Sequence, residues 1–176
     1  MLNSQISNRN FLSPSWFKFS LQKYPKVDFF CSEASIPGIN LGVAVQPTYL
    51  KDIPIPGDKL SYDDLTLRFN IDEDLQNYLT VHNWLRGFGY PENLYEYQEL
   101  LDSDDINPGV QNANSGQSNG DLIIYNSNYK ENAVVRFTGL FPVSLSTVSF
   151  DAKITDTNYL TAEVVFKYTL YDIIKL

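Results

Sequence analysis

The feature that most limits what this chain can fold into is the alternation that closes it. Over residues 160–173, Ala162, Val164, Phe166, Tyr168 and Leu170 alternate with Thr161, Glu163, Val165, Lys167 and Thr169. A period of two is the signature of a strand with one buried face. Most strands run about 5–6 residues, so a strand this long has more edge than its own domain needs and is free to pair with a neighbour. The rest of the chain has to supply partners for it, and a mainly β, antiparallel fold follows.

Candidate partners recur along the sequence. In residues 16–21, Phe17, Phe19 and Leu21 alternate with Trp16, Lys18 and Ser20, and after Tyr24-Pro25 the run 27–32 is the expected hairpin partner. Ile36-Pro37-Gly38 breaks that run, and residues 43–50 form a third, weaker strand. Residues 51–59 hold Pro54, Pro56 and Gly57, which predicts a loop. Leu65, Leu67, Phe69 and Ile71 then share one face of a well-marked strand. Residues 122–126 and 133–138 flank a polar turn and form a second hairpin, Phe141-Pro142 interrupts the chain, and 143–150 is a further strand.

One flanking helix is expected after the strand at 65–71. Asp72 is placed to cap it, with Glu73 and Asp74 in the first turn, where the helix dipole favours carboxylates. Leu75, Tyr78, Leu79, His82 and Leu85 recur at spacings of three and four, and Gly87, Gly89 and Pro91 stop the element. A short second helix fits residues 93–101. Residues 1–15 predict an N-terminal arm, and 16–176 a single domain. Within it, 102–121 is a flexible polar loop of Asp, Asn, Ser, Gly and Gln, either disordered alone or a contact loop that an assembly orders. The expected class is thus α+β but mainly β: an antiparallel sandwich or barrel with one flanking helix and long hairpins. Its edges are a liability in a monomer and an asset in a polymer.

Charge narrows the function. The 176 residues carry a net charge of −8 with the basic residues scattered, which disfavours direct nucleic-acid binding. An acidic channel wall would instead let DNA pass without sticking. Aromatic residues make up 14% of the chain, nearly all Tyr and Phe, which suits strands and large interfaces. No apolar stretch has the length of a membrane span and no signal-peptide pattern opens the chain, so a protein soluble where it is made is expected. Cys31 is the single cysteine and lies in an apolar run, so it is expected to be a buried, inert thiol.

No residues stand out for catalysis. His82, the sole histidine, is expected to pack on the helix rather than act as a base, and Cys31 has no histidine partner in its strand. Asp102, Asp104 and Asp105 lack the further oxygen ligands and closing Glu of a calcium loop. Helix capping accounts for Asp72, Glu73 and Asp74, and Asp63-Asp64 precede a strand. Tyr90, Tyr95 and Tyr97 could form an aromatic shelf for sugar, but covering the hairpins or facing a partner subunit is favoured. Hence no catalytic, cofactor-binding or metal-binding residue is expected, and no cofactor. The alternative to a structural protein is a carbohydrate-binding or host-recognition module.

Four segments in this order resemble the tail-tube protein family of contractile-tailed bacteriophages, in particular the tube domain of baseplate tube-initiator proteins. They are Ala34-Ser35-Ile36-Pro37-Gly38; Tyr62 through Asp74, leading into Asn77-Tyr78 and Asn83-Trp84-Leu85; Val135 through Leu145; and the closing strand Leu160 to Tyr171. The resemblance covers most of the chain outside the arm and the polar loop. It implies a non-enzymatic virion protein, with six copies closing into a ring of the tail tube or of its junction with the baseplate. It also implies neighbouring tube, baseplate or sheath proteins as partners, DNA only as cargo in the lumen, and assembly in the host cytoplasm. The interface residues expected are the arm through Leu12, the loop 102–121 and the polar face of the terminal hairpins.

Overall fold

The computed structural model describes residues 11–24, 30–89, 91–93, 95–102, 116–150 and 159–176. Among these lie nine strands, β1 (Phe17–Leu21), β2 (Phe30–Ala34), β3 (Ile39–Gln46), β4 (Ile53–Tyr62), β5 (Leu65–Asn70), β6 (Ser118–Tyr125), β7 (Glu131–Leu145), β8 (Thr161–Lys167) and β9 (Leu170–Lys175). Two helices accompany them, α1 (Gln76–Gly89) and α2 (Tyr95–Asp102). The body is one antiparallel ribbon in the order β1-β6-β7-β8-β5-β2, with β9 pairing β7, while β3 and β4 pair only with each other. The ribbon folds back on itself. Phe19 of β1 and Phe166 of β8 belong to strands three places apart, yet their rings stand 6.2 Å apart across the core.

The fold turns over at a single corner. β7 runs unbroken for 15 residues, its first part paired with β9 and its last part with β8. The pairs Ala133↔Lys175 through Thr138↔Leu170 and the pairs Phe141↔Lys167 and Pro142↔Phe166 fall in one register. The closing alternation is therefore two strands instead of one, bent at Tyr168-Thr169 but following β7 throughout. Gly139 makes the bend on the β7 side. Its φ is +67°, and a Cβ there would lie 2.5 Å from Thr169 Oγ1, a conformation and a clearance that suit only glycine.

The core fills the space this corner encloses. Phe19, Leu21, Leu65, Leu67, Phe69, Val135, Phe137, Val164 and Phe166 are buried on the inward-facing alternation of their strands. α1 covers one end through Val81 and Trp84; the Trp84 ring packs tilted against Phe166 with centroids 6.1 Å apart and donates its indole N–H to Gly116 O at 2.8 Å. Asn77, fully buried, locks the helix to β5 by donating to Asn70 O at 2.8 Å and accepting the N–H of Asp72 at 3.3 Å.

Several expectations are corrected. Residues 51–59 are not a loop, because β4 spans most of them. Pro54 and Pro56 sit at alternate positions of an edge strand, where the missing N–H can face away from the partner. The third strand is Ile39–Gln46, starting earlier than 43–50. β1 pairs β6 and β2 pairs β5, so the run at 27–32 is not the partner of β1; residues 27–29 lie outside the described residues. The hairpin predicted from 122–126 and 133–138 forms, but β6 begins at Ser118, inside the span expected to be loop. Phe141-Pro142 does not interrupt β7, and no strand covers 146–150.

α1 begins at Gln76, so Asp72 is not its cap and Glu73 and Asp74 precede it. Its buried face is Asn77, Val81, Trp84 and Gly87, while Leu75 and Leu79 are exposed. The deciding residues were Trp84 and Asn77, whose ring contacts and hydrogen bonds outweigh the aliphatic spacing. Residues 1–10 of the predicted arm and 103–115 of the predicted loop lie outside the described residues.

Candidate interaction surface

Among the described residues no polar constellation stands out; an apolar projection does. β3 and β4 form a hairpin that pairs with no other described strand, and every residue of β3 is exposed. Ile39, Leu41, Val43 and Val45 share one face with their partners Tyr62, Leu60, Pro56 and Pro54. Ala44, Ile53 and Ile55 lie on the other. Val43 is 65% exposed, Val45 60% and Leu60 56%, and fully burying an aliphatic side chain contributes about 1.5–3 kcal/mol. A two-stranded ribbon with aliphatic side chains on both faces is not self-sufficient in water.

Its edges differ. Pro54 and Pro56 remove two N–H donors from β4, which blunts that side against strand addition, whereas β3 keeps all of its donors. The strands pass each other at a bulge between the pairs Leu41↔Leu60 and Val43↔Pro56. There Gly57 approaches so closely that a Cβ on it would lie 2.5 Å from Gly42 O. At the tip, Thr48 Oγ1 donates to Lys51 O and accepts the Lys51 N–H, closing the turn.

The root is polar and aromatic. Tyr62, Phe137, Tyr168 and Tyr171 form a cluster of rings with centroids 5.1–6.0 Å apart. Tyr168 Oη donates to Asp63 O at 2.8 Å and Tyr171 Oη to Pro37 O at 2.9 Å. Asp63 N–H donates to Gly38 O at 3.1 Å, and Asp64 holds Lys167 at 2.7 Å. Burial first, then the negative surroundings of Tyr171, Asp63, Asp64 and Tyr62, push the Tyr168 hydroxyl up to about 12. A second exposed apolar strip follows the edge strand β9, where Ile173 is 60% exposed and Leu176, just beyond it, 64%.

The residues singled out for chemistry are scattered. His82 is exposed, not packed, and its Nδ1 lies 3.3 Å from Asn83 Oδ1. Cys31 is half-buried beside the core, and loss of solvation pushes its thiol up to about 12. Tyr95 is 77% exposed while Tyr97 packs on the core, so these two do not make a shelf; Tyr90 lies outside the described residues. Asp104 and Asp105 also lie outside them. Among the described residues no three His, Cys, Asp or Glu side chains converge as a metal site, and no helix is long and apolar enough to cross a membrane. A shallow recess lined by Glu33, Ser35, Thr66, Arg68 and Glu163 offers no free cation, since Arg68 is paired with Glu163 at 3.0 Å and with Glu33 at 3.3 Å.

Sequence reasoning missed the hairpin as a surface. The signal was present in Ile39, Leu41, Val43 and Val45, but the prolines of β4 concealed its partner.

The chain matches the model of the phage tail tube protein family over residues 8–174. None of the curated proteins matches it. Among solved structures, it is similar to a chain of the anti-feeding prophage baseplate, six-fold symmetrised, with 13% identity and a TM-score of 0.65 over 96% of this chain and 97% of that one. It is also similar to a chain of the sheath–tube complex, in the extended state, of an extracellular contractile injection system, PVC. Identity there is 15% and the TM-score 0.63, over 100% of this chain and 99% of the other. A chain of the tube-terminating cap of the anti-feeding prophage is 16% identical with a TM-score of 0.63, each chain covered in full. At such identities the likeness is one of fold.

Proposed function

The chain belongs to the phage tail tube protein family, and on that premise we propose that it is a non-enzymatic virion subunit whose copies close into a ring of the tail tube or of its junction with the baseplate. The observation that carries this reading is the β3–β4 hairpin, which leaves the body with aliphatic side chains on both faces. A second copy covers those faces in a ring, and the open edges of β3 and β9 find strands there. Six copies are proposed by analogy with the six-fold baseplate that contains a similar chain. The net charge of −8 suits a lumen through which DNA moves without binding. Partners are further tube, baseplate and sheath subunits, and the place of work is the phage tail, assembled in the host cytoplasm.

The test is negative-stain imaging of the purified protein at rising concentration, with and without a tail or baseplate fraction. Rings or short tubes with a central hole are expected. Monomers that persist at every concentration and never join a tail structure would sink the reading.

A further inference from the structure

The hairpin leaves the body through two short legs, and a tyrosine hydroxyl holds each. Pro37 lies just before β3 and Asp63 just after β4, and their carbonyls accept from Tyr171 and Tyr168 respectively, at 2.9 and 2.8 Å. Both tyrosines come from the corner where the chain passes from β8 to β9, the place where the fold turns over. The legs are also tied to each other by Asp63 N–H to Gly38 O at 3.1 Å, and Asn40 Nδ2 reaches Asp63 Oδ1 at 3.5 Å. The rings of Tyr168 and Tyr171 pack edge-to-face or tilted against Tyr62 at the end of β4 and against Phe137 of β7. Beyond this root, no described strand supports the hairpin.

We propose that Tyr168 and Tyr171 are positioning residues of the assembly surface, latching the two legs so that the hairpin projects at one angle before any neighbour is met. The inference rests on the reading of the hairpin as the ring contact. A projection free to swing would have to be ordered at each association, and a latched one is ordered in advance. The rings supply packing that phenylalanine would keep; the two hydroxyls supply direction, because each reaches a different leg. A hydroxyl bonded to a backbone carbonyl favours the latched state by about 5-fold. Losing both loosens it by about 25-fold, and the ring-forming concentration rises by at most that factor.

The experiment measures the hairpin angle in the unassembled chain. Spin labels are placed at Tyr49→Cys on the tip and Lys130→Cys on the body, in a Cys31→Ser background, and the distance distribution is recorded by pulsed dipolar spectroscopy. A narrow distribution is expected with both tyrosines present, and a broad or two-component one in Tyr168→Phe/Tyr171→Phe, with thermal unfolding of the body retained. The same pair should raise the ring-forming concentration several-fold, and each single variant, lacking one bond, should fall between. An unchanged distribution overturns the proposal, as does an unchanged ring-forming concentration or a loss of stability spread through the whole body. Because the distance is read without assembly, a wild type that forms no rings defeats the proposed function and leaves the latch separately testable.

Discussion

Gly57→Ala and Gly42→Ala exchange the same atoms at facing positions of one hairpin and should give opposite results. A methyl on Gly57 would lie 2.5 Å from Gly42 O and 2.8 Å from Gly42 C, whereas one on Gly42 would lie 3.5 Å from Lys59 O, an ordinary contact. Carbon contacts relax near 3.5–4 Å, so Gly57→Ala must drive the strands apart by about 1 Å, against backbone that has no rotamer to yield. Overpacking of this kind costs about 2 kcal/mol, and each subunit entering a ring bears it. That energy corresponds to about a 30-fold rise in the ring-forming concentration. The core lies wholly outside the hairpin, and beyond its root the two-stranded ribbon is marginal in water, so the free variant relieves the strain by parting those strands locally and should unfold within about 0.5 kcal/mol of wild type; the cost falls on assembly, where the ribbon has to close. The assay is sedimentation of a concentration series, paired with denaturant unfolding below the assembly threshold. If Gly57→Ala assembles like wild type, or destabilises the body by more than about 1 kcal/mol, the hairpin is not the independent contact element described here.

Asn77→Ala should lower the stability of the isolated chain by about 1–3 kcal/mol, because it strands Asn70 O and the Asp72 N–H at the entry to α1; thermal unfolding checks this, and an unchanged midpoint would contradict the role assigned to Asn77. Cys31, with its thiol pushed up to about 12 by burial, should react with a disulfide reagent at mildly alkaline pH only after unfolding. The ordinary tyrosine value is near 10 and that of Tyr168 about 12, so the folded state favours its neutral form. That contribution is complete below pH ~10 and lost as pH rises through about 12. An ultraviolet difference titration of wild type against Tyr168→Phe should place the missing transition above the ordinary range.

Local alternation carried much of the fold. β1, β5 and the closing ribbon could be placed because Phe19, Leu67 and Phe166 recur at a period of two beside polar residues. Pairing was less accessible: β2 joins β5 across the β3–β4 hairpin, and nothing local in Cys31 to Ala34 specifies that partner. Turn-forming residues misled where tertiary context used them within strands. Pro142 lies within β7 and Pro56 within β4, each at a register irregularity that accommodates it. The helix face was legible only in part: Tyr78 and Leu85 pack against the core as expected, but Leu75 and Leu79 fit the period as well as Val81 and Trp84 do and are exposed, and Trp84 won through its ring contacts and its bond to Gly116 O. The apolar surface of the β3–β4 hairpin could not be read locally, since a ribbon exposed on both faces resembles a buried strand in sequence until its surroundings are known.

The most direct test of the central claim is hydrogen exchange on free and assembled protein, resolved by segment. Residues 39–62 should exchange readily in the free chain and become the most strongly protected segment in rings or tubes, with the β9 edge next. Rings that form while 39–62 keeps exchanging as in the free chain would contradict the account.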